Sequence, residues 1–233
     1  MKRLLLLWIL AITPGIGSAV VVYQQNFDSG ALGPNLNISA TSGFSYDLNG
    51  GALNMHMGAG SPNGSISASS TFQVVGDFTA TVDVTRTNLA NALGIGAYRS
   101  GGGGANVFFW GSGQLPISNM FIPQQITVGR YLAGNSASFR IRRSGTTLFG
   151  ELLDTNGTTW KIINQATQPI FADPLTISLF LDKETGVPTT QNGSFDNLRI
   201  EAAGFRNFVP SPATWMLTLL GLALIPKRRQ LMR

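Results

Sequence analysis

Apolar and polar residues alternate with a period of two through the middle of this chain. Phe78, Ala80, Val82 and Val84 interleave with Thr79, Thr81, Asp83 and Thr85; Leu175, Ile177, Leu179 and Leu181 interleave with Thr176, Ser178, Phe180 and Asp182. Successive side chains of an extended strand point to opposite sides, so this spacing describes strands buried on one face only. Further strands are expected at Phe44–Leu48, Ala52–Met57, Ser65–Thr71, Leu93–Tyr98, Asn106–Trp110, Ile126–Leu132, Ser138–Arg143, Thr147–Leu153, Thr159–Asn164 and Ser194–Ala202. Asn49-Gly50, Asn63-Gly64, Ser144-Gly145, Asn156-Gly157 and Asn192-Gly193 read as the turns between them. Outside the termini no helix is expected and no repeat is found. Many short strands in one domain predict an all-β, two-sheet antiparallel sandwich.

The two ends read differently. Lys2-Arg3 precedes an apolar stretch from Leu4 to Ile12, Pro14 and Gly15 break it, and Gly17-Ser18-Ala19 supplies small residues before a cut after Ala19. This is the layout of a signal peptide over residues 1–19. A retained anchor would need about 20 apolar residues and finds roughly ten. At the other end Pro210-Ser211-Pro212-Ala213-Thr214 leads into an apolar run from Trp215 to Ile225, then Pro226 and the basic end Lys227-Arg228-Arg229. As a short hydrophobic helix, the 13 residues from Ala213 to Ile225 span about 20 Å against a hydrocarbon core of about 30 Å. That length suits a transient anchor, and the basic end favours the cytoplasmic side, leaving the body outside. An amphipathic helix packed on the domain would need a polar face, and the run offers only Thr218.

Residues 205–233 thus resemble the PEP-CTERM sorting signal, with Ser211 where that family carries glutamate. The resemblance implies export in a Gram-negative bacterium to the cell surface or extracellular matrix. It also implies membrane anchoring before any processing, exosortase-like sorting machinery as a partner, and an association with extracellular polysaccharide.

Charge and cysteine content narrow the function further. The whole chain carries a formal charge of +5, but seven of its 16 Lys and Arg lie in or beside the terminal segments, while all 11 Asp and Glu lie between Asp28 and Glu201. The body is therefore 9 minus 11, or −2, and no nucleic-acid partner is expected. The absence of cysteine excludes thiol chemistry and cysteine metal sites and leaves the fold to a hydrophobic core alone.

Within residues 20–204, three stretches resemble the concanavalin A-like lectin/glucanase superfamily. These are Ser138-Phe139-Arg140-Ile141-Arg142-Arg143-Ser144-Gly145-Thr146-Thr147-Leu148-Phe149-Gly150 running on to Trp160, an opening segment Asn26-Phe27-Asp28-Ser29-Gly30, and a closing segment Gly193 to Ile200. The resemblance implies a jelly-roll sandwich whose first and last strands pair, bringing both termini to one end. Its glucanases carry catalytic carboxylates in a Glu-x-Asp-x-x-Glu pattern, placing acid and nucleophile about 5 Å apart. Of Glu151, Glu184 and Glu201, only Glu184 has a carboxylate two positions away, at Asp182, and Lys183 to Gly186 reads as a surface turn. No catalytic residue is expected, and the body reads as a non-catalytic structural or carbohydrate-associated module. Its rivals are a divergent secreted glycan hydrolase and a self-associating adhesive protein without a small ligand.

The sole histidine, His56, shares a strand face with Asn54 and reads as a satisfied or surface residue. Asp154-Thr155-Asn156-Gly157 places hard oxygens at alternate positions, as Ca²⁺ requires, yet it lacks further acidic ligands; a plain Asn-Gly hairpin is preferred and no metal or cofactor is expected. Gly101 to Gly104 lacks the Lys-Ser/Thr of a phosphate loop. The remaining route to a ligand is aromatic. Asn106 and Trp110 share a strand face with Phe108, and Tyr98 and Arg99 lie across the glycine loop. Tyr98, Arg99, Asn106 and Trp110 form a candidate sugar site, unless Phe108 and Trp110 belong to the core, as Trp160 is expected to.

Overall fold

The computed structural model describes residues 19–58, 61, 63–87, 92–110, 115–122, 125–130, 134–183 and 190–207. Residues 1–18 of the expected leader, Glu184, and the tail with Pro210, Ser211, Pro212, Ala213, Thr214, Lys227, Arg228 and Arg229 lie outside the described residues. Fifteen strands are formed: β1 (Val20–Gln25), β2 (Leu36–Ala40), β3 (Phe44–Asn49), β4 (Ala52–Met57), β5 (Gly64–Ser70), β6 (Phe72–Arg86), β7 (Ala92–Arg99), β8 (Gly104–Trp110), β9 (Leu115–Ile122), β10 (Gln125–Arg130), β11 (Ser136–Ser144), β12 (Thr147–Leu153), β13 (Trp160–Thr167), β14 (Leu175–Lys183) and β15 (Gln191–Asn207).

All pairings are antiparallel, and they build two layers. One runs β10-β9-β8-β7-β14-β5-β2 and the other β13-β12-β11-β6-β15. The far edge of β15 carries β4, then β3, along its first half and β1 along its second. A single bridge, Leu175 to Val74, joins the layers at one end. Leu93, Ile95, Val107, Phe109, Ile177 and Leu179 of the first layer meet Val82, Val84, Phe139, Ile141, Phe195 and Ile200 of the second in one buried cluster. Period-two alternation placed these residues on inner faces, and exclusion of water from them drives the stacking.

β6 shows the expected one-sided burial, and β1 pairs with β15 as the resemblance implied, Val20 opposite Ala202. The opening segment itself is different: Asn26-Phe27 is irregular, Asp28 to Gly30 is turn and bend, and the first strand precedes them. β14 is not half-buried, because Ser178 and Phe180 on its outer side are buried as well, Phe180 against Phe108. Asn192-Gly193 is no turn but the start of β15, paired with β4 and β6. Glycine stands there because a Cβ would lie 2.2 Å from Leu93 Cδ2. The one helical turn among the described residues is a 3-10 turn at Pro169–Ala172.

The half-turn around Pro169 is held by Arg143, a fully buried cation facing inward from β11. Its Nε donates to Gly76 O at 2.6 Å, and its Nη1 donates to Phe171 O at 2.7 Å and Asp173 O at 2.6 Å. Burial lowers its pKa, while Asp77 and Asp173 oppose that shift. One guanidinium thereby satisfies carbonyls of the irregular stretch of β6 at Gly76 and of the 3-10 turn.

Candidate functional site

The outer face of the seven-stranded layer carries the candidate site. Register brings Ser69 opposite Asn37 and Ser178, Ser178 opposite Gly96, Gly96 opposite Asn106, and Asn106 opposite Asn119. A row of hydroxyls and amides therefore crosses six strands with a glycine near its middle. Ser69 Oγ donates to Ser178 Oγ at 2.9 Å, and the Asn119 backbone N–H donates to Asn106 Oδ1 at 3.2 Å. Asn119 Oδ1 is buried without a hydrogen-bond partner. A buried amide oxygen in that state calls for a donor from water or a ligand.

Tyr98 lies down beside this row. A Cβ on Gly96 would fall 2.2 Å from Tyr98 Cε2, so the bare glycine is what lets the ring rest on the sheet. Asn106 Nδ2 reaches the Tyr98 hydroxyl at 3.5 Å. Burial raises the phenol above its ordinary range and the Asp182 charge pushes the same way, so Tyr98 acts as a neutral hydrogen-bonding group. Tyr98, Ser67, Ser69, Thr176, Ser178, Phe180 and Asp182, with Arg99 and Ser100 at the rim, line a groove of about 460 Å³ along β14.

The structure thus brings Tyr98 and Asn106 together and leaves Arg99 at the margin, its Nε 3.1 Å from Asp173 Oδ2. Trp110 stands apart, four residues along β8 from Asn106, level with Ala92 and hence with Asp182. It is 37% exposed and meets Phe108 edge-on at 5.7 Å. Phe108 is buried, but with Ala92, Ile117 and Phe180 in a separate cluster on this outer face, not in the core between the layers. Asp182, on the strand as expected, faces the groove. It is the groove's one carboxylate among the described residues. The serines of β5 and β14 went unrecognised as site residues. Their alternation was visible, but not that β5 and β14 pair.

Other candidates resolve elsewhere. His56 Nε2 lies 2.7 Å from Asp47 Oδ2 and its Nδ1 3.0 Å from Asn192 Oδ1, on the outer side of the second layer. Hydrogen bonds from Asn54 and then His56 hold the Asp47 carboxyl below its usual range. Trp160 is not core: it lies half-buried on the outer face of the second layer, with the Arg140 guanidinium 4.2 Å from its ring centre. Among the described residues no third layer covers that face, and the cation does. Arg140 and Arg142 both pair with Glu151, which is buried beneath them. The Asp154 loop spends its oxygens on its own turn: Asp154 Oδ1 accepts from Thr159 N at 3.2 Å and Asn156 Oδ1 from Thr158 N at 2.9 Å.

No protein-family profile matches this sequence, and no curated protein is similar enough in sequence to count as a relative. Solved structures match by shape. The β-glucanase of Bacillus licheniformis shares 12% identity over 79% of this chain and 98% of its own, at a TM-score of 0.59. The fold is that of the jelly-roll glucanases. The laminarinase catalytic domain of Thermotoga maritima MSB8 agrees at 10% identity, 79% and 98% coverage and a TM-score of 0.61. The CBM2 module of the evolved Dit of Lactobacillus casei BL23 phage J-1 agrees at 13%, 79% and 96%, and 0.58. Catalytic domains and a binding module thus share this architecture, so activity has to be argued from the site.

Proposed function

We propose that this chain is an exported surface or matrix protein whose sandwich is a non-catalytic, carbohydrate-associated binding module, with the groove along β14 as its ligand site. The observation that carries the reading is the chemistry of that groove. Hydroxyls from Ser67, Ser69, Thr176 and Ser178 and the recumbent ring of Tyr98 line it, the amides of Asn106 and Asn119 continue the polar row beside it, and both suit a polyhydroxylated ligand, whose hydroxyls donate and accept. Asp182 has no second carboxylate lining the groove among the described residues, whereas glycoside hydrolysis by the usual route needs two flanking the bond. Export by residues 1–19 and sorting through Pro210-Ser211-Pro212 and the basic end belong to the same proposal and rest on residue order.

The test is retention of the purified body on a panel of immobilised polysaccharides, with reducing sugar assayed in parallel. Retention without sugar release is expected. Release of reducing sugar would establish the rival, a divergent hydrolase, for which the glucanase shape is the supporting observation. Intact mass of the protein from its host checks the sorting part: a species from Val20 to near Pro210 is expected, and one retaining Arg233 would remove it.

A further inference from the structure

Six large apolar side chains are exposed among the described residues: Val20, Val21, Tyr46, Trp110, Ile162 and Phe205. Three of them gather at one end of the sandwich. Val20 pairs with Ala202 and Val21 with Glu201, while Phe205, three positions on along β15, pairs with Val74. Phe205 is 56% exposed although its ring meets Phe72 edge-on at 5.8 Å. Both ends of the described body leave from this place. The apolar run that begins at Trp215 follows Asn207 by eight residues, a link that reaches at most about 28 Å.

We propose that this end of the sandwich is a bilayer-contact face, with Val20, Val21 and Phe205 resting in the headgroup layer beside the inserted segment Trp215 to Ile225. The proposal rests on the reading of the tail as a membrane segment. Two observations favour lipid as the occupant over the tail itself or a second copy. The run has no polar face beyond Thr218, so it needs cover on all sides, and three side chains can cover one strip of it whereas a bilayer covers both. Arg206 sits next to Phe205, and Lys227, Arg228 and Arg229 follow the run; cations flanking apolar and aromatic groups match anionic headgroups. An orientation follows. Leu175 pairs with both Val74 and Arg99, so β14 starts at the contact end and its groove stands away from the membrane, Thr176 near and Asp182 far.

Because the chain has no cysteine, Ala203→Cys beside the patch and Thr155→Cys at the opposite end each accept one fluorophore in the chain from Val20 to Arg233, the form expected once the leader is removed. The chain is reconstituted with phosphatidylcholine–phosphatidylglycerol vesicles carrying a headgroup-level quencher. We expect flotation with the vesicles, severalfold stronger quenching at position 203 than at 155, and loss of that excess when Val20, Val21 and Phe205 are all changed to Ser. The triple variant should still float and keep its thermal transition. Equal quenching at both labels in a floating chain overturns the contact face and leaves the tail reading standing; failure to float overturns both. A label at 203 already shielded without vesicles assigns the patch to the tail or to a second copy and also overturns the proposal.

Discussion

Tyr98 owes its place to a missing side chain one sheet position away. Gly96→Ala would put a methyl group 2.2 Å from the ring, and because the clash lies on the outer face the ring can lift without disturbing the core. We expect glycan retention to fall about tenfold, on the scale of one lost aromatic contact, while the thermal transition stays nearly in place; affinity electrophoresis and calorimetry on the same variant check both halves. Trp110→Ala probes the other end of the face. Its ring is 37% exposed, so removal should cost about 1 kcal/mol of stability and weaken retention of long glycans more than short ones, since the residue lies beyond the Tyr98–Asn106 pair. Unfolding of the variant would assign Trp110 to structure and remove it from the site.

Strands and their connections set what was readable beforehand. Alternation located β4 and β12 to the residue because one face of each is buried in the core and local spacing reports that directly. It missed β1 and β9, whose sequences VVVYQQ and LPISNMFI carry no sustained alternation, and β2, a five-residue strand at a sheet edge, and it misread Asn192-Gly193, where the glycine answers a clash with Leu93 across the core and not a turn. The site was half legible for the same reason: Tyr98 and Asn106 lie on strands adjacent in sequence, whereas Ser69 and Ser178 meet only because β5 and β14 pair across 109 positions. Arg143 shows how an element outside the ladders is fixed. Arg143→Met leaves the carbonyls of Gly76, Phe171 and Asp173 without their donor and should cost about 3 kcal/mol, on the order of 10 °C in Tm, with Arg143→Lys only partly restoring it. The β3–β4 hairpin gives a pH dependence. The Asp47 carboxyl is depressed in the folded state, so its contribution is present above the unfolded carboxylate value and is lost as pH falls through the folded one. Asp47→Asn should therefore lower Tm slightly at neutral pH and flatten its fall below about pH 4 by the same small amount, small because the group is exposed and solvent screens it.

At the scale of the molecule, every buried apolar residue described lies between Tyr23 and Ala202, and the first and last strands close on each other through Val20 and Ala202. With those two strands paired, the described body closes along its own chain. Residues 20–207 expressed alone should therefore unfold within about 2 °C of residues 20–233 in detergent, because a loss of even 1 kcal/mol in a domain of this size moves Tm by roughly 2–4 °C. The shortened chain should refold slowly, in milliseconds to seconds, since β15 must find β1, β4 and β6 across most of the sequence before the second layer closes. A drop of about 5 °C or more on truncation would mean that the tail packs on the body, and the patch of Val20, Val21 and Phe205 is where it would have to sit. Thermal unfolding of the two chains side by side thus decides whether the apolar end is bare until it meets a membrane or is already covered from within.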